Sequence, residues 1–374
     1  MAGTQRMTTH SAPDSRPRPD QVSVDASLVM PRPLEGYHHV THVWSLADRS
    51  RTWIKIREPR DRILWFDRRC FQSEEDLLRA LKKLDVACVP EVVEVGDTGF
   101  QGFIEGRTVG TWRWWASRRV PDAVFDQLVE LFRETARIKP DMLTAERRCT
   151  ADDRPKDGDS GGFLERLIFF MRSQVYEANK LAFGELFRKL GVTDESFSRL
   201  EEHVSGLTGR PFCLLHADLH RKNLIVDPNG RLWVIDWELA MVGDPLYDLA
   251  THLYLMRYPK TQADRMAQEW CRVVERVSPG SSFGWEQDLP RYLAFKRAQS
   301  VFTDVIRESL KLRERNRFNW PALPGTTRKL HRILAAAAEP LGLATVATQA
   351  QIMSALIQWH RTTPTHLRKT PDPS

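Results

Sequence analysis

Residues 212–254 read FCLLHADLHRKNLIVDPNGRLWVIDWELAMVGDPLYDLATHLY. An apolar run, 212–215, delivers His216-Ala217-Asp218, and Asn223 follows Asp218 by five positions. Two short apolar runs, 224–226 and 232–235, flank Asp227-Pro228-Asn229-Gly230, whose Asn-Gly pair is a strong signal for a tight hairpin turn. Such a hairpin carries Asp236 back beside Asp218. The set matches what phosphoryl transfer demands. One carboxylate must accept the proton of an attacking hydroxyl, while other oxygen ligands hold hard Mg²⁺ ions that neutralise a triphosphate. An Asp with an Asn five residues on lets a single loop supply both. Each of these carboxylates alone reads as a capping or surface residue; the joint pattern, with the helix-starting Asp244-Pro245 behind it, does not.

Upstream, residues 37–105 carry mostly strand signals. The β-rich runs 40–46 and 51–57 surround the polar turn 47–50, and 89–95 and 99–105 are two further strands joined at Gly96-Asp97-Thr98. Between these pairs the spacing predicts a helix over 71–84, capped by Ser73. After Gly106 the pattern turns helical, over 123–137, 163–190, 194–207, 262–277, 289–311 and 328–338, interrupted only by the 224–235 hairpin. A strand-rich segment followed by a helical one predicts an α+β fold in two lobes with a cleft between them. Residues 1–30, rich in Pro, Ser, Thr, Arg and Asp, read as a disordered arm and 361–374 as a flexible tail, leaving 31–105 as the smaller lobe and 106–360 as the larger.

HADLHRKNLIV, followed by VIDWELA and GDPLYDLA, resembles the aminoglycoside phosphotransferase and choline kinase family, over about residues 31 to 340. The resemblance implies a protein-kinase-like fold with a small β-rich N-lobe that binds the nucleotide and a larger helical C-lobe. It implies ATP as donor, with GTP possible, and Mg²⁺. By position it makes Asp218 the catalytic base and Asn223 and Asp236 the Mg²⁺ ligands, with His216 and Asp248 bracing the loop and Glu238 near the metal. Lys55, on a strand between Ile54 and Ile56, would pair the phosphates and be held by a helix Glu. Glu74 shares a helix face with Leu77, Leu78 and Leu81, whereas Glu75 faces with Arg79 and Lys82, so Glu74 is the expected partner of Lys55. Residues 101–105, including Gln101, Phe103 and Glu105, occupy the place of the hinge whose backbone meets the adenine. Residues 34–39 occupy the place of the phosphate-covering loop, with a single Gly.

Composition excludes less than the motifs assert. Lys and Arg exceed Asp and Glu by 55 to 49, a net charge of +6, spread along the chain without a nucleic-acid motif. No apolar run approaches the roughly 20 residues of a membrane span, and no apolar signal core opens the chain, so a cytoplasmic protein is expected. The five scattered cysteines read as reduced thiols. Gly158-Asp159-Ser160-Gly161-Gly162 imitates a G-x-S-x-G elbow but follows a polar run, and reads as a flexible loop. His216 and His220 lack the Glu of a zinc-binding H-E-x-x-H pair. His38, His39 and His42 read as solvent-facing. No P-loop is present. The rival reading, a non-catalytic nucleotide-binding regulator on the same fold, would be expected to lack Asp218, Asn223 or Asp236, and all three are there. The acceptor would be a small hydroxyl compound in the helical lobe, lined by 289–311 with Trp112, Trp114 and Trp115. The mixed charge of that helix favours a neutral or less cationic acceptor.

Overall fold

The computed structural model describes residues 26–29, 33–35, 39–46, 53–59, 64–110, 118–150, 153–314 and 317–363. Strands β1 (Ala26–Val29), β2 (Leu34–Glu35), β3 (His39–Leu46), β4 (Trp53–Pro59), β5 (Val92–Val95) and β6 (Thr98–Gly102) form an antiparallel sheet ordered β1-β3-β4-β6-β5, with β2 also on β3. Alternation along β4 sorts its side chains. Ile54 and Ile56 are buried with Phe100 in a small cluster of their own, and Lys55 and Arg57 take the opposite face. The expected strand pairs are present with shorter limits. Pro90 has no N–H to donate, so β5 begins at Val92 rather than 89. β6 ends at Gly102, one residue before the N–H of Phe103 makes a last bond to the Trp53 carbonyl of β4 at 2.8 Å. Strand β1 lies inside the arm expected to be disordered, because it pairs with the edge of β3. Residues 1–25, the turn 47–50, His38 and the tail from 364 lie outside the described residues, as do Trp112, Trp114 and Trp115.

Helix α1 (Glu74–Lys83) begins where Ser73 Oγ accepts the N–H of Asp76 at 3.1 Å. Its first turn is acidic and its last basic, complementing the helix dipole. Leu77, Leu78 and Leu81 belong to the one large core that fills the helical region, so α1 packs with that region and not with the small cluster under the sheet.

Beyond the sheet, β7 (Arg107–Thr108) leads to α2 (Asp122–Arg137), α3 (Ser160–Phe170), α4 (Lys180–Lys189) and α5 (Glu195–His203). The GDSGG segment starts α3 instead of forming a loop, since Asp159 accepts the N–H of Gly162 at 2.8 Å. The helix expected over 163–190 is broken by a π turn at Met171–Tyr176 and a 3₁₀ turn at Glu177–Asn179. There Asn179 Nδ2 donates to the Val175 carbonyl, a side-chain competitor for the helical ladder. Strands β8 (Cys213–Leu215), β9 (Leu224–Val226), β10 (Leu232–Val234) and β11 (Met241–Gly243) follow, then α6 (Pro245–Met256), α7 (Lys260–Val277), α8 (Trp285–Lys311), α9 (Leu323–Ala337) and α10 (Gln349–Thr362). Helix α10, unforeseen and running two residues into the expected tail, is announced by the capping box Thr348-x-x-Gln351. Among the described residues no helix is long and apolar enough to cross a membrane.

Two strand pairs position the motif loops. β8 pairs with β11, and β9 with both β10 and β7, so loops 216–223 and 235–240 emerge side by side. The connection from the sheet presses against this hairpin at Gly106, where an added Cβ would lie 2.5 Å from the Val226 carbonyl oxygen.

Beneath the loops, Arg210 is fully buried. Nη1 donates to Asp244 Oδ2 at 2.6 Å, Nε to the Phe283 carbonyl at 2.8 Å and Nη2 to Asp288 Oδ2. Asp244 also caps α6, and Asp288 accepts from Thr208 N–H and Arg291. Removing the cation strands two buried carboxylates. Arg210→Met is expected to cost about 3–5 kcal/mol in urea-unfolding experiments; a loss below about 1 kcal/mol would show that the triad is not a structural anchor.

Candidate active site

The loop after β8 is shaped by its backbone. Ala217 has φ of 63°, a left-handed conformation that a non-glycine residue adopts at a cost. Asp248, in the first turn of α6, compensates by accepting the N–H groups of His216 at 3.1 Å and Ala217 at 2.8 Å. Burial pushes the Asp248 carboxyl up to about 6, against the downward pull of those two donors. His216 is fully buried, and burial lowers it to about 4, so its ring is neutral at pH 7. Its Nδ1 accepts the Asp218 N–H at 3.2 Å, which leaves the proton on Nε2 for the Ile235 carbonyl at 3.1 Å. One imidazole thus ties the two motif loops together. Asn223 Nδ2 donates to the Asp218 carbonyl at 3.0 Å and to its carboxylate at 3.3 Å, so Oδ1 is the only ligand atom it has to offer a cation. His220 Nε2 stands 3.6 Å from Asp218 Oδ2, and the 216–223 segment is not helical, as read.

The second loop opens on Asp236, also left-handed at φ 68°. Ligand oxygens of Glu74, Asp236 and Glu238 all lie within 4.8 Å of one another. Asp236 Oδ1 is buried and makes no hydrogen bond. Burial first, then the charges of Glu238 and Glu74, raises the Asp236 carboxyl well above the usual range. Asp218 adds to the same repulsion, which sets both loops within electrostatic reach of each other.

The cations come from β4, with one change of partner. The ion pair with Glu74 is made by Arg57 and not by the expected Lys55. Both lie on one face of the strand, and the longer Arg fork also comes within 3.8 Å of Glu75 and 3.6 Å of Asp236 Oδ1. Lys55 sits in the field of the same carboxylates. Burial, and then Arg57, pull its ammonium down to about 8, while Glu74, Asp236 and Glu75 pull it up. Glu75, expected to face outward with Arg79 and Lys82, accepts Gln101 Nε2 at 3.1 Å; those cations pair with Glu94 and Glu91. His39 is buried, not solvent-facing, with Nδ1 3.6 Å from Glu238 Oε2. His42 is 3.6 Å from Glu58.

The hinge residues are partly committed. Gln101 pairs with both Lys55 and Val92 within the sheet, and the N–H groups of Gly102 and Phe103 donate to Glu91 and Trp53 carbonyls. Backbone donors for a ligand are therefore to be sought after Phe103, toward the exposed Glu105.

Four residues joined the site without having been foreseen. Lys296 of α8 is buried and donates to Tyr247 Oη at 3.1 Å. Tyr247 in turn donates to Asp67, which Gln299 Nε2 approaches at 3.4 Å. Burial lowers the Lys296 ammonium, opposed by Asp67, Asp218 and Asp248. A lysine between Phe295 and Ala298 on an apolar helix face was the available signal, since a buried ammonium requires a counter-charge.

Residues 34–287 match the model of the phosphotransferase enzyme family. The chain belongs to that family, and its sheet and helical regions form the two-lobed kinase-like fold. Protein LicA of Haemophilus influenzae is 31% identical over 98 residues, which cover 26% of this chain and 28% of that protein. Protein YcbJ of Bacillus subtilis is 29% identical over 101 residues, 32% of its length. The chain thus spans about a third of the length of the curated relatives it matches. The crystal structure of choline kinase LicA from Streptococcus pneumoniae superposes with a TM-score of 0.50 at 17% identity, over 83% of this chain and 94% of that one.

The acidic trio carries a linkage prediction. A carboxyl raised on folding contributes a growing cost as pH climbs above its unfolded value near 3.8, so at pH 7 Asp236 destabilises the metal-free chain in either protonation state. Asp236→Asn is expected to raise the metal-free melting temperature by a few degrees and to abolish any further rise with Mg²⁺. A scanning-fluorimetry midpoint that falls, or a Mg²⁺ response that survives, contradicts this.

Proposed function

We propose that the chain transfers the γ-phosphoryl group of ATP, or of GTP, to a hydroxyl of a small molecule, with Asp218 as general base. What carries the reading is the placement of a buried carboxylate, oriented through its own backbone by His216 and Asn223, within the field of the acidic trio that Asp236 and Glu238 of the neighbouring loop form with Glu74 of α1. A base needs a fixed position and an acceptor proton within reach; the loop supplies the first.

Mg²⁺ fits the residues present. An oxygen with no hydrogen bond, Asp236 Oδ1, lies among three mutually repelling carboxylates, an environment a hard dication relieves. In this reading Asp236 and Asn223 Oδ1 hold the metal, with Glu238 and Glu74 beside it, and the ion neutralises phosphate charge. Lys55 and Arg57 add positive charge from β4, and Lys55 meets the α/β-phosphates. The segment 31–105 then serves as the nucleotide lobe and 106–360 as the catalytic and acceptor lobe. Asp248 keeps the strained backbone at Ala217 in place, and His216 holds the loops in register.

The acceptor reading also draws on charge. Asp304 and Glu308 of α8 are each 2.9 Å from Lys329, and Glu308 is also 2.8 Å from Lys311. Carboxylates already neutralised offer little to a polycationic aminoglycoside. A neutral or singly charged alcohol, whether an antibiotic or a metabolite, suits the helical lobe better, and the fold shared with a choline kinase is compatible with it.

A screen of hydroxyl-bearing antibiotics and metabolites with Mg²⁺-ATP, read by mass gain of one phosphate, tests the reading. Against a found acceptor, Asp218→Ala should lower kcat by about 10³-fold or more with nucleotide affinity retained. Transfer at the wild-type rate would remove Asp218 from the role of base. Lys55→Ala should raise the KM for ATP by about tenfold, or about 1.4 kcal/mol; an unchanged rate at low ATP would exclude its phosphate contact.

A further inference from the structure

Away from the acidic trio, two cysteines from distant parts of the sequence meet. Residues 70–72 and 146–148 run antiparallel, with a bridge between Phe71 and Arg147, Arg148 N–H on the Cys70 carbonyl at 3.0 Å and Gln72 N–H on the Glu146 carbonyl at 3.0 Å. The pairing brings the Cys70 and Cys149 thiols close enough for each to shift the other's proton affinity. Both are free and half-buried, and both line one cavity of about 160 Å³ with Arg68, Arg147 and Arg154. That space holds several molecules the size of water.

The two thiols are not equivalent. Arg154 donates to the Cys149 carbonyl at 2.8 Å, which sets its positive charge beside that residue. The neighbouring Cys70 thiol, helped by Arg154 and Arg68, holds the Cys149 thiol well below its usual range, while Cys149 and burial push Cys70 up. One sulfur is thus the nucleophile, and the other, keeping its proton, stands ready as the resolving thiol. Cys88 and Cys213 contrast: burial pushes Cys88 up to about 12 and raises Cys213 as well.

We propose that Cys70 and Cys149 form a peroxide-reactive pair, a modification site at which hydrogen peroxide converts two thiols into one disulfide. The Cys149 thiolate attacks a peroxide oxygen, the O–O bond breaks, and hydroxide leaves to take a proton, giving a sulfenic acid and water. Cys70 then yields its proton and attacks the Cys149 sulfur. The S–O bond breaks and a second water leaves. Two thiols are oxidised and one peroxide is reduced, so the step balances with no other reactant.

The consequence is mechanical. Residues 64–73 carry Asp67, which binds Tyr247 beside Lys296, and run directly into Ser73 and Glu74 of α1. A crosslink at Cys70 would fasten this strap to the 146–149 segment of the helical region. Peroxide would then set how freely the segment bearing Asp67 and Glu74 can move.

The full-length reduced chain, exposed to hydrogen peroxide and digested without reductant, tests this with no acceptor required. The expected product is a Cys70–Cys149 peptide pair lacking two hydrogens and restored by dithiothreitol, with slower amide exchange across 64–73. Oxidation at Cys149 should outpace that at Cys88, Cys213 and Cys271 by about tenfold or more. Cys70→Ser should stop at a Cys149 sulfenic acid trapped by dimedone, and Cys149→Ser should leave Cys70 as thiol. Wild-type chain that carries Cys149 to sulfinic acid without crosslinking, oxidises all five thiols at one rate, or loses Cys70 equally fast in Cys149→Ser overturns the proposal.

Discussion

The Glu74 carboxylate is the point on which the two regions of the molecule are joined. It is only 4% exposed, and its oxygens serve separate structures. One accepts the N–H of Trp237, directly after Asp236, at 2.9 Å; the other pairs with Arg57 on β4. Helix α1 packs into the large core, so through one side chain the helical region holds both the sheet and the motif turn. A buried charge tolerates no loss of partner, since an unpaired carboxylate in such a place costs several kcal/mol. The position of Arg57, the geometry of the Asp236 turn and the seating of α1 are therefore one constraint.

Around that constraint the charges are out of balance by design of the sequence. Four carboxylates, Glu74, Glu75, Asp236 and Glu238, face Lys55 and Arg57 from β4. Arg57 is held firmly in its charged form by Glu74 and Asp236 despite burial. Lys55 is not, and burial leaves its ammonium near 8. The shortfall falls on Asp236, whose carboxyl burial and its acidic neighbours drive toward the neutral form. The same residue has a left-handed backbone and a buried oxygen without a hydrogen bond. Strain, repulsion and an unmet acceptor coincide at a single position, as sites built for a ligand commonly do.

Much of this was legible in 212–254. The Asn-Gly turn, the apolar runs beside it and the Asp-Pro helix start are local signals, and the hairpin and α6 lie where those signals put them. Glu74 could be read from helical periodicity, because a charge on an apolar face demands a partner. Its partner could not. Lys55 and Arg57 share a strand face at a spacing of two, and only the depth of the sheet over α1 decides which of them reaches the carboxylate. Tyr247 and Asp67 were invisible for a related reason: the bond between them spans 180 positions, and nothing local marks either; Lys296 was marked only by its apolar neighbours, which do not name its partner. The Ala217 strain was hidden too, since alanine gives no hint of a left-handed backbone, whereas glycine would have.

Charge balance also orders the roles of the two β4 cations. Arg57 lies 3.6 Å from Asp236 Oδ1, a long contact, while its bond to Glu74 is close. A dication at the trio would compete with Arg57 for Asp236 and leave the Glu74 pair intact, because Glu74 spends its other oxygen on Trp237 N–H. Arg57 would then keep the lobes in register whether or not metal is bound. Lys55, with no such fixed pair and a proton held less tightly, is the cation whose charge responds to what enters. An incoming anion raises its affinity for the proton and so secures its own counter-charge. Within one strand, two residues apart, the structural and the adaptive cation are separated by which carboxylate each can reach.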